Sequence, residues 1–298
     1  METIKGPGNM EISRIAAGCM RAVEAGMDGT AIRRFVYRAL DLGITTFDHA
    51  PVYGAGACER FFGEEVLAKE PGLRSKMQIV TKAGIILPRQ KGNEHIYYDS
   101  TKENLLSEID ASLQRLHTDH VDLLLIHRPD ILGDPRVAAA ALDEIVDSGK
   151  ALHVGVSNYN PSQFESLSAY MTHPLAVNQV ELSVKTTENF FNGTIDIAQR
   201  KGTVLMAWSP LGGGSVFRGE DEQSVRLRRI LQSLAEKYDT GIDTVMYAWL
   251  LRHPAGIVPV IGTMNDARLN SAAASLNLRL SYDEWYAILA ASRGFDVP

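Results

Sequence analysis

The chain has 298 residues, 45% of them hydrophobic and 22% charged, which gives a soluble globular protein ample material for a core. A formal net charge of −6 excludes a general nucleic-acid binder, which needs a basic face. No apolar run nears the roughly 18 residues of a membrane span, no signal peptide is expected before Gly6-Pro7-Gly8, and Cys19 and Cys58 form no Cys-x-x-Cys pair. Neither a membrane partner, a disulfide framework nor a zinc knuckle is expected, and a reducing cytoplasm fits.

In chain order, Met10 to Gly18 alternates enough for a short hairpin plus a first strand, Arg14 to Gly18. Thr30 to Leu42 carries Ile32, Phe35, Val36, Ala39 and Leu40 at helical spacing and stops at Gly43. Ile44 to Phe47 is a short β-branched and aromatic run that ends at Asp48, with Tyr53 a few residues on. A helix is expected over Cys58 to Lys69, then the strand Met77 to Thr81, ending at Lys82. After a polar loop, Gly84 to Asp99, the run Ser100-Thr101-Lys102-Glu103 signals a helix start. Val121 to Ile126 ends at His127. Asp134-Pro135 opens the next helix, and Leu152 to Val156 ends at Ser157-Asn158. Asn160-Pro161 caps a helix, Leu175 to Val177 leads to Asn178-Gln179, and a helix is expected near Glu188 to Arg200. Thr203 to Ala207 ends at Trp208-Ser209-Pro210. Helices over Val225 to Tyr238 and Ile242 to Leu251 precede the strand Ile257 to Val260. Two more helices close the chain, near Asp266 to Ser275 and Ser281 to Ser292.

Strands that are apolar on both faces and alternate with helices call for a parallel sheet covered by helices. Eight such units favour a (β/α)8 TIM barrel spanning residues 1–298 as one domain, with an N-terminal β-hairpin and an extra C-terminal helix. An open dinucleotide-binding sheet lacks its fingerprint. Gly54-Ala-Gly56-Ala-Cys58-Glu59 ends in glutamate where a third glycine belongs, and it follows the second strand rather than the first.

The strand ends then carry the chemistry. Asp48, Lys82, His127, Asn158, Gln179 and Ser209 each terminate an apolar run. Singly, Asp48 could cap the next segment, Lys82 could be solvated and His127 could be a wall residue. One shared site is the more economical account. A phenol titrates near 10, so an ammonium held by a carboxylate could tune Tyr53 as a general acid while His127 orients a carbonyl oxygen. No nucleophile has a base beside it. His117-x-x-His120 has helical spacing but lies on the side away from these ends, so no metal is expected. The run after Trp208, Gly212-Gly213-Gly214, could wrap a pyrophosphate with backbone amides. Gly262, Thr263 and Arg268 follow the eighth strand, where such barrels often bind phosphate.

In this order these residues resemble the aldo-keto reductase superfamily over essentially the whole chain. The matching stretches are Gly43 to Gly54, Ile79-Val-Thr-Lys82, Asp122 to Asp130, Gly155-Val-Ser-Asn158, Asn178-Gln179-Val-Glu181 and Trp208 to Gly214. The ending Gly294-Phe-Asp-Val-Pro298 is similar to that of a poorly characterised bacterial oxidoreductase branch. The resemblance implies NADPH-dependent reduction of aldehydes or ketones, with Tyr53 as proton donor and Asp48, Lys82 and His127 completing a tetrad. It further implies that Ser157, Asn158 and Gln179 hold the nicotinamide carboxamide and that Trp208 stacks on the ring. Ser209, Leu211, Gly212 and Gly214 would line the pyrophosphate with Gly262, and Met20 and Arg21 would also face the cofactor. Thr263 and Arg268 match positions that hold the adenosine 2′-phosphate, which favours NADPH, with NADH possible. Two departures stand out. Ser271-Ala272 replaces a frequent Glu-Asn pair near the adenine, and Met20 beside Cys19 replaces a frequent tryptophan after the first strand. An open site of modest selectivity for a small-molecule carbonyl substrate is therefore expected, and the oligomeric state is not legible. The rival reading is a cofactor-binding regulatory or interaction subunit with little turnover.

Overall fold

The apolar runs become the staves of a closed barrel. The structure is a computed structural model that describes residues 2–296, so Val297 and Pro298 of the ending noted above lie outside the described residues. Its first half comprises β1 (Thr3–Lys5), β2 (Glu11–Ser13), β3 (Ala16–Gly18), α1 (Gly29–Asp41), β4 (Thr46–Asp48), α2 (Ala57–Phe62), β5 (Gln78–Ala83), β6 (Ile85–Ile86), β7 (Tyr97–Tyr98), α3 (Lys102–Leu116), β8 (Val121–Ile126) and α4 (Pro135–Asp147). The second comprises β9 (Ala151–Ser157), α5 (Pro161–Ser168), β10 (Leu175–Glu181), α6 (Thr194–Lys201), β11 (Val204–Trp208), α7 (Ser215–Arg218), α8 (Glu222–Lys237), α9 (Ile242–Leu251), β12 (Val258–Ile261), α10 (Asp266–Ala274) and α11 (Tyr282–Arg293). Eight parallel strands close in the order β3-β4-β5-β8-β9-β10-β11-β12. This is the TIM-barrel fold.

Burial follows from the alternation of side chains along each strand. Leu123, Leu125, Val177, Met206 and Val258 point inward and meet Met10 and Ile12, so the N-terminal hairpin plugs the bottom of the barrel. Outward residues such as Phe47, Ile79, Leu124 and Val154 pack under the helices. The extra C-terminal helix α11 lies against α8 through Leu227, Leu231, Ile288 and Leu289.

Several element boundaries differ from the sequence reading. The hairpin pairs Thr3–Lys5 with Glu11–Ser13 rather than lying within Met10 to Gly18, because its first strand is short and solvent-facing. The expected helix over Cys58 to Lys69 becomes α2 followed by a π-helical turn, Gly63–Leu67. That over Glu188 to Arg200 splits at Gly193, whose φ is 89°. Strand β10 runs on through Asn178 and Gln179 instead of stopping at Val177, beside a register shift against β9. Gly155 sits there because an added Cβ would meet the Val177 carbonyl oxygen at 2.5 Å. Helix α3 starts at Lys102, as the run Ser100-Thr101-Lys102-Glu103 signals, without a side-chain cap bond from Ser100. The Ser100 N–H and hydroxyl go to Asp130, and Thr101 takes the cap position. The Asn160 box with Gln163 does form, as does the Asp134 cap before Pro135.

Candidate active site

The C-terminal strand ends converge on Lys82. Asp48 ends β4 and pairs in register with Val80. Lys82 is the next inward residue up β5, which places its side chain over the Asp48 carboxylate. The Lys82 side chain is fully buried, and Nζ donates to Asp48 Oδ1 at 2.9 Å, Asp48 Oδ2 at 2.8 Å, the His49 carbonyl at 2.9 Å and Tyr53 Oη at 3.0 Å. Gln179 Nε2, reaching in from β10, donates to Asp48 Oδ1 at 2.8 Å. Burial alone would lower the ammonium's pKa, but Asp48 and Tyr53 outweigh it and hold Lys82 above its usual value.

Tyr53 stands on the turn after β4, its ring edge-on to His127 with centroids 6.2 Å apart. Here the expectation is corrected. Lys82 does draw the phenol's pKa down, but desolvation outweighs it, so Tyr53 lies above its ordinary value and is a firmly protonated donor. Burial, aided by Lys82 and Arg128, pushes His127 down to about 2, so its imidazole is neutral. A neutral ring can donate one hydrogen bond without competing for the phenol's proton. The site therefore presents two uncharged donors over a buried ion pair, which suits polarisation and protonation of a carbonyl oxygen.

Above this floor lies a linked polar rim. Ser157 Oγ donates to the Gln179 carbonyl at 2.7 Å, and Asn158 Nδ2 donates to Ser157 Oγ at 2.8 Å and to the His127 carbonyl at 3.3 Å. Trp208 Nε1 donates to Asn158 Oδ1 at 2.9 Å, which fixes the indole at the rim. Asn158 and Ser209 both adopt left-handed backbone, φ 61° and 50°. In Ser209 this is a strained conformation, costing on the order of 1 kcal/mol. Gly212, Gly213 and Gly214 follow at φ 58°, 62° and 83°, a run of positive angles that only glycine adopts freely. Leu211 is partly buried and packs against the strand–helix clusters of both halves of the barrel. Arg21 crosses from the β3 end to donate to the Gly262 carbonyl at 3.0 Å, and the neighbouring Met20 is exposed while its carbonyl receives the Cys58 thiol. Thr263 Oγ1 accepts from the Asn265 N–H, and Asn265 caps α10 through the Ala267 and Arg268 amides. Arg268 thus stands exposed in the first turn of α10.

A model of the aldo/keto reductase family matches residues 14–293. The chain belongs to the aldo-keto reductase family. It is 39% identical to the uncharacterized oxidoreductase YcsN of Bacillus subtilis, with all of both chains covered. It is 40% identical to a 6-dehydroglucose reductase of Agrobacterium fabrum, again over the whole of each chain. Among solved structures, the thermostable aldo-keto reductase Tm1743, crystallised with the inhibitor epalrestat, superposes with a TM-score of 0.80. That match covers 98% of this chain and 100% of the other at 24% identity, a likeness of fold. The protein is thus an oxidoreductase of a family that typically uses NAD(P)H.

The rim of this aldo-keto reductase suits a nicotinamide cofactor in its donor and acceptor chemistry. Ser157 and Asn158 are engaged with each other and with backbone, whereas Gln179 Oε1 has no partner among the described residues and can accept from a carboxamide. In the glycine run the Gly212 and Gly214 amides donate to the Ser209 and Leu211 carbonyls at 2.8 and 3.0 Å, which leaves the Gly213 amide without an acceptor among the described residues, and Arg268 makes no ion pair among them. The substituted pair behaves differently: Ser271 Oγ turns back to the Ala267 carbonyl, and Ala272 is packed in the core.

Two features escaped the sequence reading. Glu59, fully buried on α2, accepts from Thr81 Oγ1 at 2.6 Å and Arg115 Nε at 2.7 Å, tying the turn that carries Tyr53 to the strand that carries Lys82. Its only local signal is an acid in the first turn of an amphipathic helix. Arg128 follows His127 within the quoted motif, and its guanidinium lies 5.7 Å from the Trp208 ring centre.

Proposed function

We propose that this aldo-keto reductase reduces aldehydes or ketones to alcohols with NADPH, and that Tyr53 delivers the proton. The observation that carries the reading is Lys82, buried and shared between both Asp48 oxygens and the Tyr53 hydroxyl. Ser157, Asn158 and Gln179 would hold the carboxamide, with Trp208 against the ring. Ser209, Leu211, Gly212, Gly214 and Gly262 would line the pyrophosphate, with Met20 and Arg21 beside them. Thr263 and Arg268 would take the 2′-phosphate, whose dianion suits a guanidinium. When bound, the nicotinamide supplies a hydride to the carbonyl carbon.

The chain's own groups do the rest. Tyr53 Oη and a neutral His127 nitrogen donate to the carbonyl oxygen, so developing negative charge meets two hydrogen bonds in a site of low dielectric. Tyr53 releases its proton to that oxygen. The phenolate left behind is stabilised by the Lys82 ammonium 3.0 Å away, which Asp48 keeps charged and fixed. Proton transfer of this kind contributes roughly 10²–10⁴-fold. The test is steady-state NADPH oxidation with a panel of aldehydes and ketones. Turnover of some members supports the proposal, and tight NADPH binding with no turnover of any favours a regulatory subunit.

A further inference from the structure

The mouth of the barrel holds a cation without a counter-ion. Arg128 is partly buried at the end of β8, and among the described residues its guanidinium has neither a hydrogen-bond acceptor nor an ion pair. The carboxylates that could face it are committed elsewhere. Asp48 is held by Lys82 and Gln179. Asp130 accepts from the Ser100 N–H, the Ser100 hydroxyl and the Leu132 N–H. Glu181, at the end of β10, accepts from the Thr186 hydroxyl. Its five N–H donors are thus left for water or for an incoming oxyanion.

Its position says what that something is. β8 lies diametrically opposite β12 in the barrel order, and the glycine run and Gly262 follow β11 and β12. Arg128 stands on the far wall one residue past His127, and its guanidinium lies 5.7 Å from the Trp208 ring centre. It therefore borders the space over Tyr53 and His127 rather than the phosphate loops. Contact with the indole keeps the guanidinium plane oriented, which leaves its fork of N–H groups presented for a planar or tetrahedral oxyanion.

We propose that Arg128 is the specificity-determining residue for an anionic substrate: a carbonyl compound that bears a carboxylate or phosphate group, bound bidentately at the rim while its carbonyl meets Tyr53 and His127. The inference rests on the reductase reading above and names its substrate class. It predicts that a charged substrate outcompetes its neutral counterpart, since a charge-assisted bidentate pair forms only with the former.

Two matched pairs test this, and they separate the two oxyanions: 4-carboxybenzaldehyde against its methyl ester, and glyceraldehyde 3-phosphate against glyceraldehyde. The wild-type enzyme is expected to favour the charged member of at least one pair by 10-fold or more in kcat/KM. Arg128→Met should collapse that ratio to near one, chiefly through KM, and Arg128→Lys should keep part of it. Ratios near one in the wild type, or equal ratios in wild type and variants, overturn the proposal and leave Arg128 as a partner of Trp208 only. If neither pair turns over, the reductase reading is what fails, and calorimetric titration of benzoate and inorganic phosphate decides the anion site by itself. Binding of either ion weakened at least 10-fold by Arg128→Met supports the site, and no difference refutes it.

Discussion

Replacing Lys82 with methionine separates what the buried ion pair does for stability from what it does for chemistry. Methionine has nearly the length and volume of the lysine stem, so the perturbation removes the ammonium and little else. Asp48 is then left as a buried carboxylate with Gln179 as its remaining side-chain donor. Breaking a buried pair from one side costs about 3–5 kcal/mol, or roughly 10 °C in melting temperature for a chain of this size. Adding Asp48→Asn neutralises the stranded carboxylate, so the double variant should recover most of that stability. It should recover none of the activity, because Tyr53 still lacks the cation that stabilises its phenolate, and turnover stays down by roughly 10²–10⁴-fold. Melting curves and NADPH oxidation on the wild type, both singles and the double form the cycle. A double variant no more stable than Lys82→Met, or a single that melts with the wild type, would refute the claim that Asp48 and Lys82 act as one buried unit.

Other expectations follow from the same geometry. His49 is fully buried, both ring nitrogens lack partners among the described residues, and burial pushes its pKa down to about 3. Its folded value lies below the unfolded one, so its contribution is present above about pH 6.5 and is lost as pH falls towards 3. His49→Phe should therefore reduce the stability lost between pH 7 and 4.5 by about 2.5 kcal/mol, measured by melting at both pH values; an unchanged loss would show that His49 is not the buried neutral group described. Glu59→Ala should destabilise by about 3–5 kcal/mol, since Arg115 and Thr81 lose their shared acceptor, whereas Glu59→Gln should cost less; equal melting of Glu59→Ala and wild type would contradict this. Arg268→Ala should raise the Kd for NADPH by roughly 10–100-fold and leave that for NADH unchanged, read by fluorescence titration; a parallel change for both cofactors would remove Arg268 from 2′-phosphate recognition.

Much of the barrel was legible because its strands are buried on both faces. Such runs read as uninterrupted apolar segments, and a polar residue at the end of each marks the solvent-facing rim. Asp48, Lys82 and His127 were found that way, and the structure gathers them around Tyr53. The same rule cut β10 short at Val177, because Asn178 and Gln179 are buried polar residues whose partners, Tyr159 and Asp48, come from other strands and loops. Glu59 was invisible for a related reason. An acid on an amphipathic helix reads as solvent-facing until Arg115, distant in sequence, is folded onto it. The balance on Tyr53 was misjudged because the ammonium beside it is a local inference, whereas the depth of its burial is set by the whole barrel.

The central claim is that Tyr53 supplies the proton. Tyr53→Phe keeps the ring and its edge contact with His127 and deletes only the hydroxyl. Turnover of a good carbonyl substrate should fall by roughly 10²–10⁴-fold, while the Kd for NADPH, read by nicotinamide fluorescence, stays close to the wild-type value. Turnover within about threefold of wild type, against that expected loss, would contradict the account.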